Sequence, residues 1–94
     1  MKIIRLYTAG KRPVLMNAFQ RLQKYLAGRG DLRLAFETID VLDDPLAAGR
    51  DQVFATPTIV RAFPPTARMV GDIQDAALVA RTLGLTKPSD AQEI

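Results

Sequence analysis

Three residue types that carry much of protein chemistry are missing from this chain. Its 94 residues include no cysteine, no histidine and no tryptophan. Without cysteine there is no thiolate to serve as a nucleophile or redox group, and the usual ligands of zinc, haem and iron–sulfur clusters are missing as well. Histidine, the commonest general base, is absent too. The sequence therefore favours a binding protein over an enzyme, and we expect no catalytic residue, metal or cofactor.

A strong excess of one charge is also missing. The chain has 13 Lys and Arg against 10 Asp and Glu, which gives a net charge of +3, and both signs are scattered along it. Proteins that bind nucleic acid usually concentrate basic residues in a stripe or a tail. We therefore do not expect nucleic acid as a partner.

Long apolar runs are absent as well. No stretch of the sequence approaches the roughly 20 apolar residues that cross a bilayer. The first apolar run contains Arg5 and is not followed by the small-residue cleavage site of a secreted protein. We expect a cytoplasmic protein that does not bind membranes.

The length of the chain limits the number of domains. A sequence of 94 residues with 48% hydrophobic content can build one compact core and has no room for a second domain. The residues after the last apolar segment are polar. We therefore expect a single domain over residues 1–85 and a polar C-terminal tail over residues 86–94.

The N-terminal half has the clearest pattern. The β-branched and aromatic run 2–7 predicts a strand. Apolar residues then recur at three- and four-residue spacing between Pro13 and Gly28, which predicts an amphipathic helix. A second strand is predicted within residues 32–42, and its alternation changes phase before Ile39, which suggests a bulge. Two strands joined by a helix predict a parallel βαβ unit.

The C-terminal half is specified less strongly. Asp44 can cap a short helix that begins at Pro45, but Gly49 interrupts that helix. The run 58–63 has strand propensity, and residues 68–70 are long enough only for a short partner strand. This part of the sequence predicts a weak helix followed by a small hairpin.

The last predicted element completes a recognisable order. A helix capped by Asp72 or Asp75 ends near Gly84. The summed order β-α-β-α-β-β-α is that of the thioredoxin core, in which a cis-proline precedes the third strand. Pro57 lies at that place and can expose neighbouring backbone groups to an extended partner segment.

Six short motifs follow one another in the sequence and carry a more specific resemblance. They are Leu6-Tyr7-Thr8-Ala9-Gly10, Ile39-Asp40-Val41-Leu42, Asp44-Pro45, Ala55-Thr56-Pro57-Thr58, Pro64-Pro65 and Gly71-Asp72. Thioredoxins and glutathione transferases share the Thr-Pro step but not the rest of the series. Over residues 4–85 the sequence resembles the KaiB family of circadian-clock proteins.

The resemblance implies two folds and a set of partners. KaiB-like proteins rest in a second fold of order β-α-β-β-α-α-β, as homodimers or homotetramers, which shares the N-terminal βαβ unit with the thioredoxin-like fold. The thioredoxin-like monomer is the form that binds a KaiC-like ring ATPase and then collects a KaiA-like protein or displaces the sensor domain of a histidine kinase. The faint signals of the C-terminal half suit two packings of similar free energy, but tertiary packing alone can also fix a single one.

The resemblance also implies where a partner binds. The short helix and the loop before the third strand match the family's docking region, and the Gly71-Asp72 turn is the expected fold-switch turn. Two departures from the family's pattern lie in this region. Gln52 stands where clock proteins of cyanobacteria usually have lysine, and the segment 66–70 is one residue short, with Arg68 as its single arginine. They favour a divergent, non-cyanobacterial member that serves a simple timer or stress tolerance rather than a full oscillator. The predicted partner-binding residues are Gln52, Phe54, Ala55, Thr56, Pro57 and Arg68.

Two other functions stay open at this point. Tyr7, at the end of the first strand, is placed to activate a bound thiol, as in a glutathione-transferase-like enzyme, although the chain has no room for that enzyme's helical second domain. The chain could also be a permanently monomeric thioredoxin-like sensor module that docks on a kinase. Lys11 and Arg12 occupy the place of the reactive cysteines of thioredoxins, and the sequence does not indicate their role.

Overall fold

The computed structural model describes residues 2–29 and 33–86, and its elements follow the thioredoxin-like order rather than the second order expected for the family. Residues 87–94 of the predicted tail lie outside the described residues. The elements are β1 (Lys2–Thr8), α1 (Pro13–Ala27), β2 (Leu34–Asp40), α2 (Pro45–Arg50), β3 (Thr58–Arg61), β4 (Ala67–Val70) and α3 (Ala76–Thr82).

The strands form one sheet in the order β2-β1-β3-β4. Strand β1 pairs with β2 in parallel, which confirms the predicted βαβ unit, and the β1–β3 and β3–β4 pairs are antiparallel. The β1–β2 register runs without interruption from Lys2 opposite Leu34 to Thr8 opposite Asp40. The predicted bulge in the second strand is therefore wrong.

The change of phase in β2 has another cause, which is that the strand buries residues on both faces of the sheet. Leu34 and Phe36 pack against the larger hydrophobic cluster, whereas Ile39 belongs to a smaller cluster. Successive side chains of a strand point to opposite faces, so a shift from even to odd positions moves burial across the sheet. A bulge and a change of buried face therefore produce the same apolar pattern in the sequence.

The two faces of the sheet are covered unequally. Helices α1 and α3 pack on one face around a large cluster that includes an edge-to-face pair of Phe19 and Phe36, with ring centres 5.7 Å apart. The other face carries α2, which has only six residues. The small cluster beneath α2 consists of Tyr7, Ile39, Ala47 and Val60.

The helix caps explain where the short helices begin. The side chain of Asp44 accepts a hydrogen bond from the backbone N–H of Ala47 at 3.2 Å, as predicted. Gly49 does not interrupt α2, which continues to Arg50. Of the two candidate caps for α3, Asp75 is the cap, because its side chain accepts from the backbone N–H of Leu78.

One arginine joins three parts of the C-terminal half. Arg61, at the end of β3, donates from Nη1 to the carbonyl oxygens of Leu83 at 3.0 Å and Gly84 at 2.7 Å, and from Nη2 to that of Pro64 at 3.2 Å. Its guanidinium also lies 4.3 Å from the centre of the Phe63 ring. These contacts satisfy carbonyl groups at the end of α3 that the helix itself leaves unpaired.

Candidate partner-binding site

The predicted partner-binding residues come together at one end of the sheet. Five of them belong to the loop that follows α2, residues 51–57, which we call the α2 loop, and Arg68 lies on the neighbouring strand β4. The peptide bond between Thr56 and Pro57 is cis. The structure thus places next to each other residues that are up to 16 positions apart in the sequence.

The α2 loop has a fixed backbone. The backbone N–H of Val53 donates to the carbonyl oxygen of Ala48 at 2.8 Å, so that the loop folds back on the end of α2. At the other end, the hydroxyl of Thr58 donates to the carbonyl oxygen of Ala55 at 2.6 Å. Phe54 lies between these two hydrogen bonds, and its position is therefore set by the backbone on both sides.

Four of the predicted residues contact one another in pairs. Arg68 donates from Nη1 to the backbone carbonyl of Gln52 at 2.5 Å, and its Nη2 lies 3.5 Å from the side-chain oxygen of the same residue. The backbone N–H of Gly71 donates to the carbonyl oxygen of Pro57 at 2.9 Å. The turn that the sequence marks as a fold-switch turn is thus tied directly to the α2 loop. Asp72 makes its own local contact, because its side chain accepts from the N–H of Gln74.

Two large apolar side chains of this region face the solvent. Phe54 is 92% exposed and Leu46, on α2, is 84% exposed. Leu46 was missed as a candidate site residue. Its neighbour Ala47 is the residue of α2 that packs on the sheet, and two adjacent residues of a helix cannot both face the same way. That rule, applied to the sequence, would have placed Leu46 on the outside.

A polar network that the sequence did not reveal lies beneath the α2 loop. The hydroxyl of Tyr7 donates to Asp51 Oδ2 at 2.6 Å and is 3.1 Å from the carbonyl oxygen of Ala47. Arg5 Nη1 is 3.2 Å from the same carboxylate oxygen, and Arg5 Nε is 3.4 Å from Glu37 Oε2. The sequence did indicate that such a network is needed, because Arg5 and Tyr7 occupy one face of a central strand and buried polar groups need partners. It did not indicate which residues the partners are.

The environment of Tyr7 does not suit activation of a bound thiol. The residue is only 1% exposed. Burial, and next the hydrogen bond to Asp51, raise the pKa of the Tyr7 hydroxyl from 10.0 to about 12, while Arg5 and Arg50 oppose this rise. The glutathione-transferase-like function therefore finds neither an accessible hydroxyl nor an acidified one at this position.

The raised pKa of Tyr7 predicts a loss of stability in alkali. Because the fold raises this pKa above its ordinary value of 10.0, to about 12, the stabilisation is complete below pH 10 and disappears as the pH rises to 12. The total loss should be about 2–3 kcal/mol. Urea unfolding at about pH 9 and about pH 11.5 would measure about two thirds of this loss, because the folded pKa lies above the second pH. Tyr7→Phe is the control, since it keeps every other group that titrates in alkali. Equal losses in both proteins would contradict the prediction.

Lys11 and Arg12 lie elsewhere on the molecule. Both are exposed and line an open cavity of about 570 Å³ between the end of β1 and the first turn of α1. Asp40 and Asp43 also line this cavity. The structure does not bring this basic pair to the α2 loop.

Among residues 2–29 and 33–86, no helix is both long and apolar enough to span a membrane.

Fold and site together define a thioredoxin-like domain without cysteine that presents an exposed aromatic side chain on a fixed loop. The sequence profile of the KaiB domain matches residues 5–85. The chain therefore belongs to the KaiB family.

Individual relatives agree with this assignment. The chain is 34% identical over 93 residues to the circadian clock oscillator protein KaiB of Prochlorococcus marinus strain MIT 9303, a match that covers 98% of this chain and 78% of the relative. It is 37% identical over 84 residues to the KaiB proteins of P. marinus strain MIT 9312 and Synechococcus sp. strain CC9311. These two matches cover 88% of this chain, and 80% and 71% of the respective relatives.

A solved structure supports the fold. The N-terminal domain of Synechococcus elongatus SasA superimposes with a TM-score of 0.66 at 22% sequence identity. The match covers 85% of this chain and 76% of the SasA domain.

Proposed function

We propose that this chain is a regulatory protein that binds a KaiC-like ring ATPase through α2 and the α2 loop and thereby modulates the phosphorylation or ATPase state of that partner. The exposed side chain of Phe54 on a fixed backbone is the observation that carries the proposal. The relatives named as circadian clock oscillator proteins support a role in a clock, a timer or a stress-response pathway.

The exposure of Phe54 has an energetic meaning. A fully buried phenylalanine side chain contributes about 1.5–3 kcal/mol relative to an exposed one, and an aromatic side chain that fills a partner's pocket is a typical centre of a binding interface. Little ordering entropy is lost on binding, because the hydrogen bonds of Val53 and Thr58 already hold the loop. The free protein thus exposes the Phe54 side chain in a position that is already set before a partner binds.

The contact between Arg68 and Gln52 gives a reason why position 52 is glutamine in this chain and not the lysine expected for the family. A lysine at this position would place a second cation beside Arg68, whereas the Gln52 side chain offers an oxygen 3.5 Å from Arg68 Nη2. In the proposed complex Arg68 supplies the positive charge of this face. The proposal thereby assigns binding roles to all six predicted residues, with Ala55, Thr56 and Pro57 forming the backbone surface beside Phe54.

Fold switching and further partners belong to the same proposal. The C-terminal half is built from short elements, since α2 has six residues and β3 and β4 have four each, whereas α1 has fifteen. Short elements with little buried surface suit a second packing of similar free energy. The proposal includes a resting homodimer or homotetramer, a KaiA-like protein or a histidine kinase as a further partner, and a cytoplasmic location.

Light scattering coupled to size-exclusion chromatography tests the proposal. The chain is measured alone and after long incubation with the KaiC-like ATPase of its own organism and ATP. A partner that binds one state draws the population toward that state, so a dimer or tetramer should slowly give way to a larger complex. A monomer that never associates would favour the sensor-module function instead. Thiol transfer from glutathione to a model electrophile, lost in Tyr7→Phe, would favour the enzyme.

The Gly71-Asp72 turn gives a prediction about the fold equilibrium. Gly71 has a φ of +103°, a conformation that residues with a side chain rarely adopt, and a Cβ there would meet no atom within 4 Å. Gly71→Ala should therefore destabilise this arrangement by about 1–3 kcal/mol through backbone strain alone.

Amide NMR spectra and light scattering would report the resulting shift toward the other fold and its oligomer. The matched control is Gly28→Ala, because Gly28 has a φ of −101° and equally open surroundings. Unchanged spectra and an unchanged oligomer size in Gly71→Ala would show that the turn does not bias the equilibrium.

A further inference from the structure

Helix α2 needs something other than apolar packing to hold it on the sheet. Its one buried residue is Ala47, whose side chain is a single methyl group. Its one large apolar side chain, that of Leu46, points to solvent. A helix this short is also unstable by itself, because nucleation costs more than six residues return.

The polar network beneath the helix supplies the missing attachment. Tyr7 is fixed in the central strand β1, and its hydroxyl reaches both the carbonyl oxygen of Ala47 within α2 and the carboxylate of Asp51 at the end of α2. The hydroxyl has one proton, and the 2.6 Å contact with the carboxylate is the stronger, charge-assisted bond. Arg5, two positions earlier on the same face of β1, pairs with the same carboxylate.

Asp51 joins this network to the exposed surface. It is the C-cap residue of α2 and the first residue of the α2 loop. Its side chain is largely shielded from solvent, and Arg5 from β1 and Arg50 from α2 are the cations that face the Tyr7–Asp51 pair, with Glu37 of β2 beyond Arg5. Phe54 follows three residues later, after the loop has folded back on α2 through Val53.

We propose that Tyr7 and Asp51 are positioning residues whose buried hydrogen bond holds α2 and the α2 loop against the sheet and so fixes the place of Phe54. The link to partner binding rests on the proposed function, whereas the attachment itself is a property of the free chain. Tyr7, which the sequence marked as a candidate for thiol activation, has a structural task in recognition instead.

Amide hydrogen exchange on the free protein tests the attachment. Tyr7→Phe removes one hydroxyl and keeps the ring, so exchange at the backbone amides of Gln52 and Val53, which bond to α2, should accelerate about tenfold or more. Exchange in α1 should accelerate less than exchange at these two amides, because it reports global unfolding only. The matched control is Tyr25→Phe, because Tyr25 is the other of the two tyrosines and lies on α1, away from α2. Unchanged exchange at both amides in Tyr7→Phe would overturn the proposal.

A second variant keeps the test decisive if Tyr7→Phe unfolds. Asp51→Asn keeps an oxygen that can accept from Tyr7 but removes the charge, so it should accelerate exchange at the same amides by a smaller factor than Asp51→Ala. Exchange at these amides that is unchanged in both variants would show that the side chain at 51 does not hold α2, which would overturn the proposal.

The response of the Tyr7 pKa to a change at Asp51, followed by tyrosine absorbance, reports the hydrogen bond separately from burial. In the Tyr25→Phe background Tyr7 is the single tyrosine of the chain. A rapid pH jump should then show its ionisation near pH 12, and Asp51→Asn in the same background should lower that pKa toward 10.0. An ionisation that does not respond to Asp51→Asn would mean that the hydrogen bond is not made in solution.

Capture by the KaiC-like ATPase separates this inference from the proposed function. If the unmodified chain binds and Tyr7→Phe binds about tenfold more weakly, both stand. If the unmodified chain does not bind but the exchange effects appear, the attachment stands and the proposed function fails. If Tyr7→Phe binds and exchanges like the unmodified chain, the attachment fails while the proposed function survives.

Discussion

Replacement of Phe54 with aspartate is expected to weaken binding of the KaiC-like ATPase by about 30-fold or more. The side chain is 92% exposed in the free protein, so the fold loses almost nothing when it is removed. A central aromatic residue of an interface typically contributes 2 kcal/mol or more, and a carboxylate in its pocket would add the cost of a buried, unpaired charge. This variant should therefore bind the ATPase much more weakly, while its free energy of unfolding stays almost unchanged.

The control for this variant is Val14→Asp. Val14 is 59% exposed on the first turn of α1, outside the α2 loop, and a carboxylate is tolerated near a helix N-terminus. Both variants should unfold in urea within about 0.5 kcal/mol of the unmodified chain. Titration calorimetry that finds equal affinities for Phe54→Asp and Val14→Asp would remove Phe54 from the interface.

Replacement of Arg61 with methionine is expected to cost about 2–4 kcal/mol of unfolding free energy, because it removes charged hydrogen bonds to three backbone carbonyls at once. Methionine keeps the apolar stem beside Phe63, so the loss reports the guanidinium. The buried Arg61 Nε, which lacks an acceptor among the described residues, offsets part of the gain and sets the lower end of this range. The corresponding fall in Tm is about 10–20 °C.

Thermal and urea unfolding measure this effect. Arg21→Met is the matched control, since Arg21 is exposed on α1 and the same change there should alter stability by less than about 0.5 kcal/mol. Equal stabilities of the two variants would show that the carbonyls of Leu83 and Gly84 are satisfied equally well by water. Arg61→Lys should fall between them, because one ammonium group cannot reproduce the fork geometry of a guanidinium.

The N-terminal half could be predicted from the sequence because its signals are local. The helix between Pro13 and Gly28 and the strand before it depend on periodicity and on residues that begin or end elements. The position of the α2 loop followed from the family's motifs, and the structure adds that Gln52 contacts Arg68 and that Pro57 contacts Gly71. Their roles in binding stay predictions.

The remaining features depend on distant parts of the chain and leave weaker local marks. Tyr7 and Asp51 are 44 positions apart, and Arg61 reaches carbonyls 22 and 23 positions away. A pattern of residue types shows that a buried hydroxyl needs a partner but does not name the partner. The supposed bulge in β2 is a similar case, because the apolar pattern cannot distinguish an extra residue from a strand that buries both faces.

The unequal covering of the sheet has a consequence for the amount of this protein in a cell. Helix α2, with only six residues, covers part of this face of the sheet. A partner bound there would cover the rest. Ligand binding to the folded state alone adds about 2.7 kcal/mol when the partner is present at 100 times its Kd, which lowers the unfolded fraction about a hundredfold. Because proteases remove unfolded chains, the lifetime of this protein would follow the supply of its partner. Copies without a bound partner would be degraded faster. The ratio of the two proteins would then return toward its former value without any change in their synthesis.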